Sequence, residues 1–259
     1  MTERYVHGYA TAEQQRLLRQ AEHWRDDLIV AGTSLPPGAR LLEVGCGVGA
    51  VLGVLGTAFP GIELAGVDIE ERQLEVARGH LADLGVEADL RQADAVALPF
   101  AEASFDHVWT MWFLEHVADP VATLREARRV LAPGGALTAI ETDYNTVWTV
   151  PPSDALRGLA SAVARAMEAA GRSDAGTRLP GWLAEAGFAE VDPGLRRLSF
   201  TGDELARQIA YAADVIESTL ATAPGAAAEL EAGLVALRAL PTMPNAAMGW
   251  DVHKALARR

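Results

Sequence analysis

The string LLEVGCGVGA at positions 41–50 restricts the fold more than any other part of the chain. Arg40 to Val44 reads as a short buried strand, and Val48 to Phe59 is an apolar run of helix length closed by Pro60 and Gly61. Between them stand Gly45, Gly47 and Gly49. Missing side chains let such a turn approach a ligand closely, and the helix that follows presents unpaired N–H groups to it. The same residues satisfy the dinucleotide pattern G-x-G-x-x-G/A with Ala50 in the last place. The turn by itself therefore fits a nicotinamide cofactor, another nucleotide-like cofactor, or a tight structural bend.

The elements after the turn alternate. Ile62 to Val67 is the next strand, Glu70 to Leu84 a helix stopped by Gly85, Glu87 to Gln92 and Ser104 to Met111 two further strands, Pro120 to Leu131 a helix, and Gly135 to Glu141 a fifth strand. This order specifies a doubly wound, mostly parallel α/β sheet. Ahead of it, residues 12–30 place Leu17, Leu18, Ala21, Trp24 and Leu28 on one helical stripe, an amphipathic leading helix. Beyond Thr142 we expect helices over Ser153 to Ala170 and near Trp182, a long strand from Phe188 to Phe200, helix from Asp203 to Leu240, and a closing antiparallel edge strand in AAMGWDVHKALA. With no linker between separate cores, the 259 residues read as one domain: a leading lid helix (1–34), a cofactor-binding core (35–145), and substrate-side insertions with the last two strands (146–259).

Three carboxylates follow three consecutive strands. Glu43 can accept from an ammonium or stabilise the turn. Asp68 ends the second strand, where an acid accepts the ribose hydroxyls of either kind of cofactor, and Asp94 follows the third, where an acid can accept from an adenine amino group. Composition then removes other chemistries. The formal net charge of −13 repels phosphate backbones and argues against a nucleic-acid partner. Lys254 is the only lysine, which leaves no Tyr-x-x-x-Lys dehydrogenase and argues against Schiff-base chemistry. Cys46 is the only cysteine, so no internal disulfide forms, and no leader or membrane span is evident; a cytoplasmic location is the expectation. The six histidines lack metal-ligand spacing, and no metal site is expected.

The strings LLEVGCGVG, GVDIEERQLEVAR, ADAVALPFAEASFDHVWTMWFLEHV and LREARRVLAPGGAL together resemble the class I S-adenosylmethionine-dependent methyltransferases, in the branch that acts on small molecules. The resemblance is dense from Pro36 to Gly135. It implies a seven-stranded Rossmann-like sheet with an antiparallel edge strand, S-adenosylmethionine as cofactor and S-adenosylhomocysteine as product. It further implies that Gly45, Gly47 and Gly49 border the methionine part, that Asp68 holds the ribose, and that Glu43, Cys46, Ile69 and Gln73 also bind the cofactor. Ala93, Asp94 and Ala95 would meet the adenine, Met111 and Trp112 would face the methionine end, and Tyr9 would close over the cofactor.

Methyl transfer from a sulfonium requires in-line alignment, exclusion of water, and a base when the acceptor is a hydroxyl or ammonium. His116, just past the fourth strand, is the candidate base and a candidate substrate contact; the alternative is that Glu115 and His116 anchor the loop. Asp143, Tyr144 and Trp148 are further candidate acceptor contacts, whereas Trp109, inside a strand, reads as core. In YVHGY, extended spacing places Tyr5, His7 and Tyr9 on one side, so residues 5–16 read as a cover for cofactor and acceptor. The expected reaction is methyl transfer to oxygen, nitrogen or sulfur, less readily carbon, of a metabolite, by a monomer or homodimer. The alternatives are an NAD(P)-dependent oxidoreductase and a non-catalytic S-adenosylmethionine-binding module.

Overall fold

A computed structural model describes the backbone of residues 11–220 and 227–259, and the side chains of these except 218–220 and 227–230. Five strands run parallel: β1 (Arg40–Val44), β2 (Glu63–Asp68), β3 (Ala88–Gln92), β4 (Phe105–Met111) and β5 (Leu131–Val150). Their side chains alternate between two apolar layers. Leu41, Leu64, Trp109 and Ile140 enter one; Leu42, Ala65, Val108 and Ala139 enter the other. Both faces are apolar because helices cover both, as a parallel sheet requires.

Helices α1 (Thr11–His23), α2 (Ala50–Ala58) and α3 (Glu71–Asp83) precede α4 (Pro120–Val130), α5 (Asp154–Ala170) and α6 (Ala175–Glu185). Leu74 and Leu81 of α3 pack with Trp24 in the first layer, whereas Leu124 of α4 and Leu179 of α6 pack in the second. Asp119 caps α4 by accepting the Ala122 N–H, and Ser153 lies in hydrogen-bond range of the Leu156 N–H at the start of α5. The leading helix is shorter than its apolar stripe suggests. It ends at His23 and gives way to a π-helical segment, Arg25–Val30, that carries the buried Leu28 and Ile29. Lys254 lies behind this segment: its Nζ donates to the Ala31 carbonyl at 2.7 Å and to Thr33 Oγ1 at 2.9 Å, and sits 5.3 Å from the centre of the Trp109 ring. The only lysine is thus a buried strut.

The expected long strand from Phe188 to Phe200 is two strands, β6 (Glu190–Asp192) and β7 (Leu195–Thr201). Pro193 between them has no N–H to give to a ladder. Gly194 turns back at φ +56 and accepts the Lys254 N–H, so close that a Cβ would lie 1.8 Å from the Lys254 carbonyl oxygen. Both strands pair with β8 (Ala247–Arg258), Val191 opposite Ala257 and Leu198 opposite Trp250. The sheet order is β3-β2-β1-β4-β5-β8-β6, with β7 also on β8. The closing strand is therefore interior, antiparallel to β5, and the broken pair forms the edge; seven positions hold eight strands. Within the helical stretch expected after Asp203, the described residues form α7 (Gly202–Leu220) and α8 (Ala227–Ala239).

The order reverses between β1 and β4, both of which flank a crevice at their carboxyl ends. Ligands of open α/β sheets bind at such a switch point. Among the described residues, no helix is long and apolar enough to cross a membrane.

Candidate active site

A cavity of about 1120 Å³ opens at this switch point. One half is built by the loops that leave β1, β2, β3 and β4. After Val44 the chain turns on Gly45, whose N–H, like that of Cys46, donates to the Val67 carbonyl at 2.9 Å. A Cβ on Gly45 would lie 2.2 Å from the Phe113 ring, and one on Gly49 would lie 3.0 Å from Ala77 Cβ. At Gly47, φ is +49 and a Cβ would meet nothing within 4 Å, because this residue faces the cavity. Gly45 and Gly49 give the turn its packing, and Gly47 leaves room for a ligand.

Asp68 fastens the turn from the next strand. Its Oδ2 accepts the Gly47 N–H and its Oδ1 accepts the Glu70 N–H, both at 2.9 Å. Burial raises its pKa above the usual carboxylate range, and the two backbone donors oppose that rise. Each oxygen retains a lone pair for a ribose hydroxyl. Glu43 is 3% exposed, and its Oε2 has no hydrogen-bond partner. Burial, aided by the charge of Asp68, pushes its pKa well up. A buried carboxylate oxygen aimed at a cavity matches the ammonium of an amino acid.

Ile69 and Val96 stand on the cavity wall with unusual exposure for their type, 58% and 43%. Two open apolar faces suit a flat purine. Asp94 holds the loop between them by accepting the Val96 N–H at 3.1 Å through Oδ1, which leaves Oδ2 for an adenine amino group. Gln73, Ala93, Ala95, Met111 and Cys46 complete this half; burial raises the Cys46 pKa well above normal. A carboxylate with one oxygen unpartnered among the described residues, an open glycine, a paired acid and two apolar faces fit S-adenosylmethionine.

Beyond Met111 the chain bends at Trp112, whose φ of +49 is costly for a bulky side chain. Its backbone N–H donates to the Ile140 carbonyl at 2.8 Å and its indole N–H to Thr142 Oγ1 at 2.9 Å, which hold the ring on the cavity wall. The next two residues are also fixed from β5: Glu141 Oε1 accepts the N–H groups of Phe113 and Leu114 at 3.0 and 2.7 Å. Glu141 is fully buried beside Glu115, and desolvation with that neighbouring charge pushes its pKa well up. The loop so anchored presents Glu115 and His116 to the cavity, with His116 Nε2 3.3 Å from Glu115 Oε1.

Of the expected cofactor residues, Gly49 stands behind the wall and the other described ones line it. His116 and Tyr144 line it too. Asp143 and Trp148 do not. Asp143 Oδ1 accepts the Asn145 N–H at 2.9 Å and Oδ2 accepts from the Thr177 hydroxyl, so its carboxylate is spent on its own loop. Trp148 covers Gly249, its partner across the β5–β8 ladder. Tyr5, His7 and Tyr9 lie outside the described residues. The proposed cover reaches the described structure at α1, where Gln14 Nε2 donates to Gln73 Oε1 at 2.9 Å and Arg16 joins the wall. Among the described residues, no group of three or more His, Cys, Asp or Glu could hold a metal ion.

The second half of the cavity is formed by α5, α7, α8 and β8, within the segment expected on the substrate side, but none of their lining residues was singled out from the sequence. The signal was present in the apolar stripe of α5, which has the spacing of any core-facing helix.

Residues 42–139 match the family described as a methyltransferase domain. The chain is 38% identical over 133 residues to the 27-O-demethylrifamycin SV methyltransferase of Amycolatopsis mediterranei (strain S699), covering 51% of this chain and 48% of that protein. It is 44% identical over 105 residues to the ubiquinone biosynthesis O-methyltransferase of Ruegeria pomeroyi, covering 40% and 42%. The chain spans about half the length of the curated relatives it matches. In fold it is similar to an S-adenosylmethionine-dependent methyltransferase from Aquifex aeolicus (TM-score 0.56, 14% identity, 95% of this chain and 99% of that one). It is equally similar to the cyclase SpnF (TM-score 0.56, 22% identity, 93% and 81%), so the fold alone does not fix the reaction. The glycine turn and its acids thus lie inside the stretch that matches a methyltransferase domain, on a fold shared with an S-adenosylmethionine-dependent methyltransferase. The nicotinamide alternative has no support among these findings.

Proposed function

We propose that the chain transfers the methyl group of S-adenosylmethionine to a small-molecule metabolite, at an oxygen in preference to other atoms. The supporting observation is that one cavity joins a built cofactor half to a second half of comparable construction, with Glu115, His116 and Tyr144 on its wall. The cofactor supplies an electrophilic methyl on a sulfonium. This chain's residues bind, align and keep out water. Glu43, Gly47, Asp68 and Asp94 hold the donor, and Trp112 sets the wall beside its reactive end. His116 is positioned to take the proton of an acceptor hydroxyl, with Glu115 orienting the imidazole. Expulsion of water by the apolar second half preserves the in-line approach.

Titration calorimetry with S-adenosylmethionine and S-adenosylhomocysteine tests the donor half, and methyl release from labelled donor in the presence of hydroxylated metabolites tests the reaction. Binding of a nicotinamide dinucleotide in place of both donor ligands would refute the proposal.

A further inference from the structure

We infer that the acceptor is a neutral, bulky and mainly hydrocarbon molecule that carries no phosphate or carboxylate. This rests on the methyl-transfer reading and adds the class of substrate. Leu156, Leu159, Val163 and Met167 recur at helical spacing along α5, and Val215 and Ile216 stand opposite on α7, all on the cavity wall. Such a stripe ordinarily faces a packed core. Here Leu156, Leu159 and Met167 are buried, while the half-buried Ala160 and Val163 stand on the cavity wall with Trp250 of β8, which contributes an aromatic face. At about 1120 Å³ the cavity exceeds the roughly 300–1,000 Å³ that serves one drug-sized ligand, so the donor leaves space for a second bulky molecule.

The charges on the wall exclude an anion. Arg16 is the one Lys or Arg side chain among the described wall residues. It is buried and engaged with Glu13 through two bonds of 2.7 and 2.6 Å, and with Gln20 at 3.1 Å. An anionic acceptor would find a counter-charge only by breaking this buried pair, which leaves Glu13 uncompensated. Glu43, Asp68, Glu70, Asp94, Glu115 and Asp119 also line the cavity and repel a second negative charge. A cationic acceptor would have to leave water for the apolar α5 and α7 wall, which does not restore its hydration. A neutral molecule incurs neither cost.

The test uses the full chain saturated with S-adenosylhomocysteine, with 2-naphthol as neutral probe and 2-naphthyl phosphate as its anionic match, read by calorimetry. Binding of 2-naphthol at least tenfold tighter than of the phosphate is expected. Ala160→Trp, which fills the α5 wall, and Val163→Asp, which charges it, should each weaken 2-naphthol at least tenfold and leave S-adenosylhomocysteine affinity within twofold. Equal or tighter binding of the phosphate, absence of 2-naphthol binding, or variants that fold and bind both ligands normally would overturn the inference. Should either variant fail to fold, Ala160→Leu and Val163→Thr carry the comparison, and the wild-type contrast between the two probes stands without them. Failure of the wild-type chain to bind S-adenosylhomocysteine would refute the methyl-transfer reading instead, while the probe contrast measured without that ligand still reads the acceptor half.

Discussion

Tyr144 donates its hydroxyl hydrogen to Glu115 Oε1 at 3.3 Å, and the same oxygen lies 3.3 Å from His116 Nε2. One carboxylate oxygen thus ties a residue of β5 to the candidate base after β4. Burial raises the Tyr144 pKa well above its ordinary value, so the phenol stays a donor throughout the neutral range. Glu115 is 2% exposed and must share its charge with these two partners. The two readings of the Glu115–His116 pair, loop anchor and base, are therefore compatible: the anchor aims the imidazole.

Tyr144→Phe removes one donor to Glu115. A single hydrogen bond contributes a net of about 0.5–1.5 kcal/mol, so turnover should fall roughly two- to tenfold. Affinity for S-adenosylhomocysteine should be unchanged in calorimetry. A loss of donor binding in parallel with turnover would show that Tyr144 supports the cofactor half instead.

Asp68→Ala should weaken S-adenosylmethionine and S-adenosylhomocysteine by about 1.5–3 kcal/mol, roughly 10- to 150-fold, because the ribose hydroxyls lose a charged acceptor. The variant also leaves the Gly47 N–H without its partner at 2.9 Å, so Asp68→Asn should recover part of the loss. Isothermal titration of both variants checks the order.

Gly47→Val and Gly45→Val separate ligand space from packing. At Gly47 the added branch enters open cavity, and a folded chain with S-adenosylhomocysteine binding abolished is expected. At Gly45 it collides with Phe113, and loss of the folded chain is expected. Circular dichroism with calorimetry distinguishes the two; normal binding by folded Gly47→Val would sink the assignment of the turn.

His107 Nε2 lies 2.9 Å from Thr138 Oγ1, between β4 and β5, and desolvation with the nearby charges of Lys254 and Arg258 lowers its pKa to about 4. The unfolded chain, with an ordinary value near 6.5, binds a proton that the fold refuses. Stability should therefore fall as pH drops from about 6.5 toward 4, by up to roughly 3 kcal/mol from this residue. Urea unfolding across that range should show a shallower slope for His107→Gln.

The cofactor half was legible in the sequence because its residues sit at chain positions that the strand-turn-helix pattern fixes. Glu43 and Asp68 stand at the carboxyl ends of β1 and β2, Gly47 and Asp94 just beyond β1 and β3, and the carboxyl ends of parallel strands share one edge. Asp143 obeyed the same positional rule and departed from the site because Thr177 of α6 and Asn145 compete for its carboxylate, contacts that no local pattern encodes. The break between β6 and β7 was written in Pro193 and Gly194 but outweighed by the apolar alternation around it. The second half was expected on the substrate side, but its individual lining residues stayed hidden for a different reason. A helix stripe has the same spacing whether it faces packed side chains or a void, and only the arrangement of α5, α7 and β8 decides which.

The cavity's two walls come from different stretches of the chain: the donor wall mostly from residues 43–122, the other mostly from 142–167, 211–237 and β8. The methyltransferase-domain match ends at residue 139, close to that division. One wall must go on fitting a single invariant molecule, while the other answers only to whatever the host supplies. Under the proposed methyl transfer, substitutions in α5 or α7 can redirect the chain to a new metabolite without disturbing the glycine turn, and selection can change what is methylated at little risk to the methylation itself.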